Sequence, residues 1–172
     1  MPTIRRMDPH PIVDHIPRLR RYARALAGDR YAADDLVQDT LERAVRKFHL
    51  WRPGDLRAWL FSIMHNVFVN QLKSRKIGLD VEIDEETLAA RIPTVTGTDV
   101  MDLQRALGTL APEQREVVLL VALEDMSYAD VSRALGIPMG TVMSRLSRGR
   151  ERLRRVMNGE PATRTGLKVV QT

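Results

Sequence analysis

"LGIPMGTVMSRLSRGRERLRR", residues Leu135 to Arg155, sets six arginines (Arg145, Arg148, Arg150, Arg152, Arg154 and Arg155) against the single acid Glu151. Val142, Leu146 and Leu153 fall on one helical stripe. A Gly-x-Pro turn stands in front of them. An ordinary surface helix mixes its charges, so this one points to an acidic partner outside it.

The residues just upstream complete a motif. Ser127 and Asp130 form a capping-box-like start for "SYADVSRAL", with the shorter acid in place of Glu. Gly136 supplies a left-handed C-terminal turn, and Ile137 packs inward after it. A second helix starts near Gly140 or Thr141. Helix, short turn containing Gly, helix is a helix-turn-helix. Val131, Leu135, Ile137, Val142 and Leu146 stand where crossing helices need apolar contacts, and Ser132 is small where they approach. Pro112 is a first-turn proline for a further helix, "EQREVVLLVALED". In such a motif the second helix enters the major groove with its first residues at the base edges. The candidates are Thr141, Met143, Ser144, Ser147 and Arg148, with Arg145 on the flank. Arginine takes guanine O6 and N7 in bidentate fashion. The later arginines reach phosphates, which add affinity without sequence information.

Charge extends the same reading. Residues 1–77 carry 15 basic and 8 acidic side chains, residues 78–102 one and 7, and residues 103–157 9 and 6. Two basic blocks flank an acidic connector of net −6. The chain has 172 residues, 44% of them apolar, enough for one large domain or two small ones. It has no cysteine, which removes disulfides and thiolate metal sites and fits a reducing compartment. The N-terminus has no apolar signal region, and the longest apolar run, Val117 to Leu123, is too short to span a bilayer. A cytoplasmic protein without membrane insertion is expected.

The helix period dominates the N-terminal half. Apolar residues recur at 36, 37, 41, 44, 45 and 48, with Thr40 on the same stripe, and again at 56, 59, 60, 63, 64, 67, 68 and 72. Ile12 to Leu26 is periodic but weaker. Three or four packed helices are expected through about residue 76. The stripe then breaks in "IGLDVEIDEETLAARIPTVTGTD", with one short helical turn expected near 85–91. So long a structureless stretch is better placed between domains than within one. The period returns from Asp102. The expectation is an all-α protein of two small helical domains, 10–77 and 103–157, with an acidic flexible linker over 78–102 and a frayed tail over 158–172.

The helix from Leu56 is unusual. Phe48, Trp51, Trp59, Phe61 and Phe68 put five of the eight aromatics within 21 residues. His65, Asn66, Asn70, Lys73, Arg75 and Lys76 line the polar side or the end of the same helix. Aromatic surfaces beside amides and cations suit unstacked bases. Trp59 and Phe68 read as core, whereas Trp51 and Phe61 lie off the stripe and are freer.

Taken together, "DRYAADDLVQDTLERAVRKF", "LRAWLFSIMHNVFVNQLKSRK" and "LAPEQREVVLLVALEDMSYADVSRALGIPMGTVMSRLSRGRERLR", in this order, resemble the extracytoplasmic-function class of sigma factors in the sigma-70 family. The likeness runs from about residue 10 to 157. It implies two helical sigma domains, domain 2 and the helix-turn-helix domain 4. It implies core RNA polymerase (the β′ clamp helices and the β flap), promoter DNA and an anti-sigma factor as partners. The polymerase-binding segment falls on Asp35, Leu36, Asp39, Leu41, Glu42 and Val45. The segment that recognises and melts the −10 element falls on Trp51, Ile63, Met64, Asn66, Asn70, Lys73, Arg75 and Lys76. The helix-turn-helix would read the −35 element. Three departures stand out. The loop 49–55 is short and contains Pro53, so the −10 base preference does not carry over. Met143 replaces a more usual polar or basic side chain. Gly149 stands where many relatives have alanine, at an expected cost of up to about 1 kcal/mol of helix propensity.

Asp35, Asp39 and Glu42 share one helix face, a spacing a hard cation could use, but a partner-facing acidic surface fits it better. The four histidines, 10, 15, 49 and 65, show no metal-ligand spacing, and no nucleophile elbow or phosphate loop is present. No catalytic residue, metal or cofactor is expected.

Overall fold

The computed structural model describes residues 10–77 and 98–160. The expected helical turn near 85–91, the linker's flexibility and the end of the tail lie outside the described residues. Those residues form seven α-helices and two 3-10 turns, with no strand among them.

The first 3-10 turn, Pro11–His15, leads into α1, Ile16–Ala27. Gly28 ends α1 with φ +71°, its N–H donating to Arg24 O at 3.1 Å, a left-handed stop that glycine makes at no steric cost. The next residue, Asp29, caps α2, Arg30–Lys47, its carboxylate accepting the Ala32 N–H at 3.0 Å. The second 3-10 turn, Phe48–Leu50, passes the chain to α3, Leu56–Ile77, where Asp55 accepts the Ala58 N–H at 3.1 Å. Leu19, Leu26, Leu36, Leu60 and Val67 fill the space between these helices. Each such burial is worth roughly 1.5–3 kcal/mol against exposure.

Phe61 is not free, as its place off the stripe led one to expect. It is buried, with its ring edge-on to Tyr22 at 4.9 Å between centroids. Phe61 fills a face of α3 turned toward α1, beside the stripe.

The second body contains α4, Thr98–Gly108, α5, Pro112–Ala122, α6, Tyr128–Leu135, and α7, Met139–Met157. Helix α4 begins at Thr98, before Asp102, where the apolar pattern resumes; Ala106 and Leu107, near its end, are buried. Ser127 Oγ accepts the Asp130 N–H at 3.1 Å and donates to the Asp130 carboxylate at 2.6 Å, while Arg133 pairs with the same carboxylate. Gly136 takes φ +63°, and the Ile137 N–H returns to Ser132 O at 3.1 Å. Ser132 does more than make room: its hydroxyl donates to Ile137 O at 2.6 Å and ties down the turn. The expected inward set holds, with Val131, Leu135, Val142 and Leu146 buried and Ile137 packed against them.

Gly149 also has a packing reason. It is buried on α7 against α5, and a Cβ there would lie 2.7 Å from Val118 Cγ2 and 3.3 Å from Leu110 Cδ2. The missing side chain is what lets the two helices approach.

The two bodies touch. Helix α1 lies against α5, and α3 lies against α6.

Candidate nucleic-acid interface

Helix α7 buries Val142, Leu146 and Gly149; Arg148, Arg150 and Arg154 are exposed, while Arg152 and Arg155 are half-buried. Met143, Ser144, Ser147 and Arg148 are exposed, and Thr141 is half-buried. The Ser144 hydroxyl donates to Thr141 O at 3.1 Å, a weak tether that a base can replace. Arg145 is different: it is half-buried, and its charge acts on Glu116 of α5. Arg154 is engaged by Glu151 at 2.8 and 3.1 Å. Met139, at the head of α7, is 46% exposed and extends the apolar edge begun by Met143. It was not among the sequence candidates, because the helix starts earlier than the Gly140–Thr141 reading.

On α3, Asn66 and Asn70 project outward one turn apart, with Lys73 and Arg75 exposed beyond them. The side chain of Lys76 lies outside the described residues. Trp51 is half-buried and stacks on Phe48, centroids 5.5 Å apart and rings inclined by 23°. Ile63 and Met64 do not join this surface. Met64 is 0% exposed and Ile63 is buried, because their direction on α3 points into the helical core. A role at a flipped base does not fit that burial.

The acidic face of α2 is similarly divided. Asp35, Glu42 and Val45 are exposed and Asp39 and Leu41 half-buried, but Leu36 is 1% exposed and belongs to the core. Gln71 of α3 donates one amide to both Asp35, at 3.1 Å, and Asp39, at 3.0 Å. Glu42 pairs with Arg46 at 2.6 Å.

A charged junction joins the two bodies. Glu124, its side chain fully buried, accepts from Arg21 at 3.2 Å and lies 3.8 Å from Arg18. Its backbone carbonyl accepts from Arg57 at 2.9 Å. Arg115 donates to Leu26 O at the end of α1 and to Gly108 O and Leu110 O at the end of α4, at 2.7, 3.1 and 3.1 Å. An arginine suits these carbonyls, which are left unpaired at helix ends. Burial lowers its pKa. His65 Nδ1 meets Glu116 Oε1 at 2.8 Å. Burial raises the Glu116 carboxyl above the ordinary range, and the bond to His65 opposes the rise. Burial likewise pushes the Tyr22 phenol well up, with the charges of Glu116 and Glu124 adding to it. Sequence reading missed this junction. Its signal was Glu116 and Glu124 directly flanking the apolar run Val117 to Leu123, where a buried carboxylate needs a partner.

Among the described residues, no helix is long and apolar enough to cross a membrane.

Comparison with known proteins agrees with the two bodies. Residues 12–65 match the family described as the Sigma2 domain of PhyR, and residues 101–153 match Sigma-70, region 4. The chain is 35% identical over 147 residues to the ECF RNA polymerase sigma factor EcfG of Rhodopseudomonas palustris, covering 83% of this chain and 80% of that one. It is 34% identical over 152 residues to the ECF RNA polymerase sigma factor SigE of Mycolicibacterium smegmatis, covering 81% of this chain and 57% of that one. Among solved structures, it resembles the sigma factor RpoE in complex with the anti-sigma factor NepR from Bartonella quintana. That match has a TM-score of 0.70 and 32% identity, and covers 86% of this chain and 94% of the other.

Proposed function

The chain belongs to the extracytoplasmic-function RNA polymerase sigma factors of the sigma-70 family, and from that premise we propose how its residues divide the work of promoter-specific transcription initiation. Core RNA polymerase is bound through the outer face of α2: Asp35, Asp39, Leu41, Glu42 and Val45. The −10 element is recognised and opened by the outer face of α3, with Asn66 and Asn70 at the bases, Trp51 as a stacking surface, and Lys73 and Arg75 on phosphates. The −35 element is read by α7, with Ser144, Ser147 and Arg148 at base edges and Thr141 and Met143 in apolar contact with thymine methyl groups. Arg145 stands on the flank toward α5. Domain 2 is taken as 10–77 and domain 4 as 103–157 with the preceding turns of α4, joined by the acidic segment and followed by the tail. The protein acts in the cytoplasm, and the chemistry of RNA synthesis belongs to the polymerase.

One observation carries this reading. An exposed arginine-rich recognition helix and an exposed amide-cation face on an aromatic-rich helix occur in one chain, on the two bodies that match sigma regions. A free-standing helix-turn-helix repressor needs only the first of these.

Control by an anti-sigma factor follows from the likeness to a sigma factor solved with one. Such an inhibitor would cover the α2 face and the outer face of domain 4, and so exclude core enzyme.

Permanganate probing of a promoter tests the reading. Thymines around −10 are expected to become reactive only when core enzyme and this chain are both present. Unreactive thymines with a folded chain contradict it.

A further inference from the structure

We propose that Gln71 of α3 is a positioning residue for core-enzyme binding: its side-chain amide holds the Asp35 and Asp39 carboxylates of α2 in the arrangement that receives a cationic group of the polymerase. The proposal rests on the reading of the outer face of α2 as the polymerase-binding surface.

Asp35 and Asp39 stand one turn apart on α2, where two like charges repel. Gln71 Nε2 donates to Asp35 Oδ2 at 3.1 Å and to Asp39 Oδ2 at 3.0 Å. Only the amide nitrogen can face two carboxylates, and its two N–H groups serve one each. The tie comes from another helix, 36 and 32 positions away in sequence, and not from the acids' own neighbours.

The choice of a neutral donor is informative. The neighbouring acids of α2 pair with cations on their own helix, Asp34 with Arg30 at 4.0 Å and Glu42 with Arg46 at 2.6 Å. Asp35 and Asp39 are in no ion pair among the described residues, although Arg43 and Arg75 line the same open groove of about 350 Å³. The two carboxylates are therefore oriented without being neutralised. An ionised carboxylate has about four lone-pair sites, and the amide takes one on each, so both keep acceptors for an incoming cation. The planar fork of an arginine matches such acceptors. A polar tie across an open groove adds little to folding stability, because water competes for it. Its effect is on binding: side chains ordered beforehand need not be ordered by the partner.

Equilibrium titration of the full chain, labelled at its N-terminus, with purified core polymerase tests this without promoter DNA. Gln71→Leu removes the amide and keeps the bulk. It is expected to lower affinity about tenfold, the cost of ordering two freed side chains, with salt dependence unchanged because both charges remain. Gln71→Lys still holds the carboxylates but neutralises them, and is expected to lower both affinity and salt dependence. Melting temperatures of both variants are expected to stay within about 3 °C of the wild-type value. The deciding measurement is a double-mutant cycle. With Asp35→Ala and Asp39→Ala already in place, Gln71→Leu is expected to cost nothing further, since it acts through those carboxylates. Wild-type affinity in Gln71→Leu overturns the proposal, and so does a loss that persists in the alanine background. If Asp35→Ala with Asp39→Ala costs no affinity, the reading of α2 falls and the proposal with it. A loss in that pair but none in Gln71→Leu leaves the reading of α2 standing and removes only the role of Gln71.

Discussion

His65 on α3 and Glu116 on α5 meet at 2.8 Å across the boundary between the two helical bodies. Glu116 is 3% exposed, and burial raises its pKa against the opposing effects of His65 and Arg145, while Glu113 adds to the rise. A raised carboxyl favours the protonated form in the folded chain. Between the ordinary carboxylate value and the raised one, the folded state holds more protons than the unfolded state, so stability falls as pH rises through that window. Glu116→Gln keeps an acceptor for His65 and removes the titration. It is expected to flatten this acidic-side slope in the unfolding temperature and to change neutral stability by less than about 1 kcal/mol. An unchanged slope contradicts the assignment.

Gly149→Ala sets two effects against each other. Helix propensity favours alanine by about 1 kcal/mol. The new Cβ, 2.7 Å from Val118 Cγ2, overpacks the α5–α7 contact at a cost of about 1–3 kcal/mol. Net destabilisation in urea is expected, largely relieved by adding Val118→Ala. A more stable single variant would show that α7 shifts freely.

Asn66→Ala and Met64→Ala separate DNA contact from core packing. Asn66 is exposed, so its loss should leave stability within about 0.5 kcal/mol while impairing opening of duplex promoters. Met64 is fully buried, so its truncation should cost about 2–5 kcal/mol in denaturation. A stable Met64→Ala chain with a specific opening defect would restore Met64 to the −10 site.

Arg148→Ala should change base preference at −35, since a good bidentate contact is worth about 1–3 kcal/mol of discrimination. Arg154→Ala should act on all sequences alike and reduce the salt slope by at most about one unit, because Glu151 already holds that side chain. Selection from randomised −35 duplexes reads both. Identical profiles for Arg148→Ala and wild type count against the recognition surface.

The helix-turn-helix was legible because its signals are local. Ser127, Gly136 and the stripe through Val142 and Leu146 each act within a few residues of themselves. The packing of α2 against α3 was legible from period alone. What escaped depends on a third neighbour. Phe61 faces α1, and Glu116 and Glu124 find partners 51 or more residues away, whereas Leu36 and Met64 lie on the stripes that mark them as core and were set on binding surfaces by the resemblance alone. A single-helix stripe reports one buried face, and a helix held between two neighbours has more than one. Gly149 looked like a cost for a similar reason: helix propensity is a property of one helix, and its benefit lies on another.

Promoter-directed RNA synthesis by purified core polymerase tests the central claim most directly. Genomic fragments are transcribed with and without this chain, and the transcript 5′ ends are mapped. The account predicts discrete start sites that appear only with the chain, downstream of a shared pair of sequence elements, and that move to other fragments with Arg148→Ala. Initiation unchanged by a folded, inhibitor-free chain would contradict it.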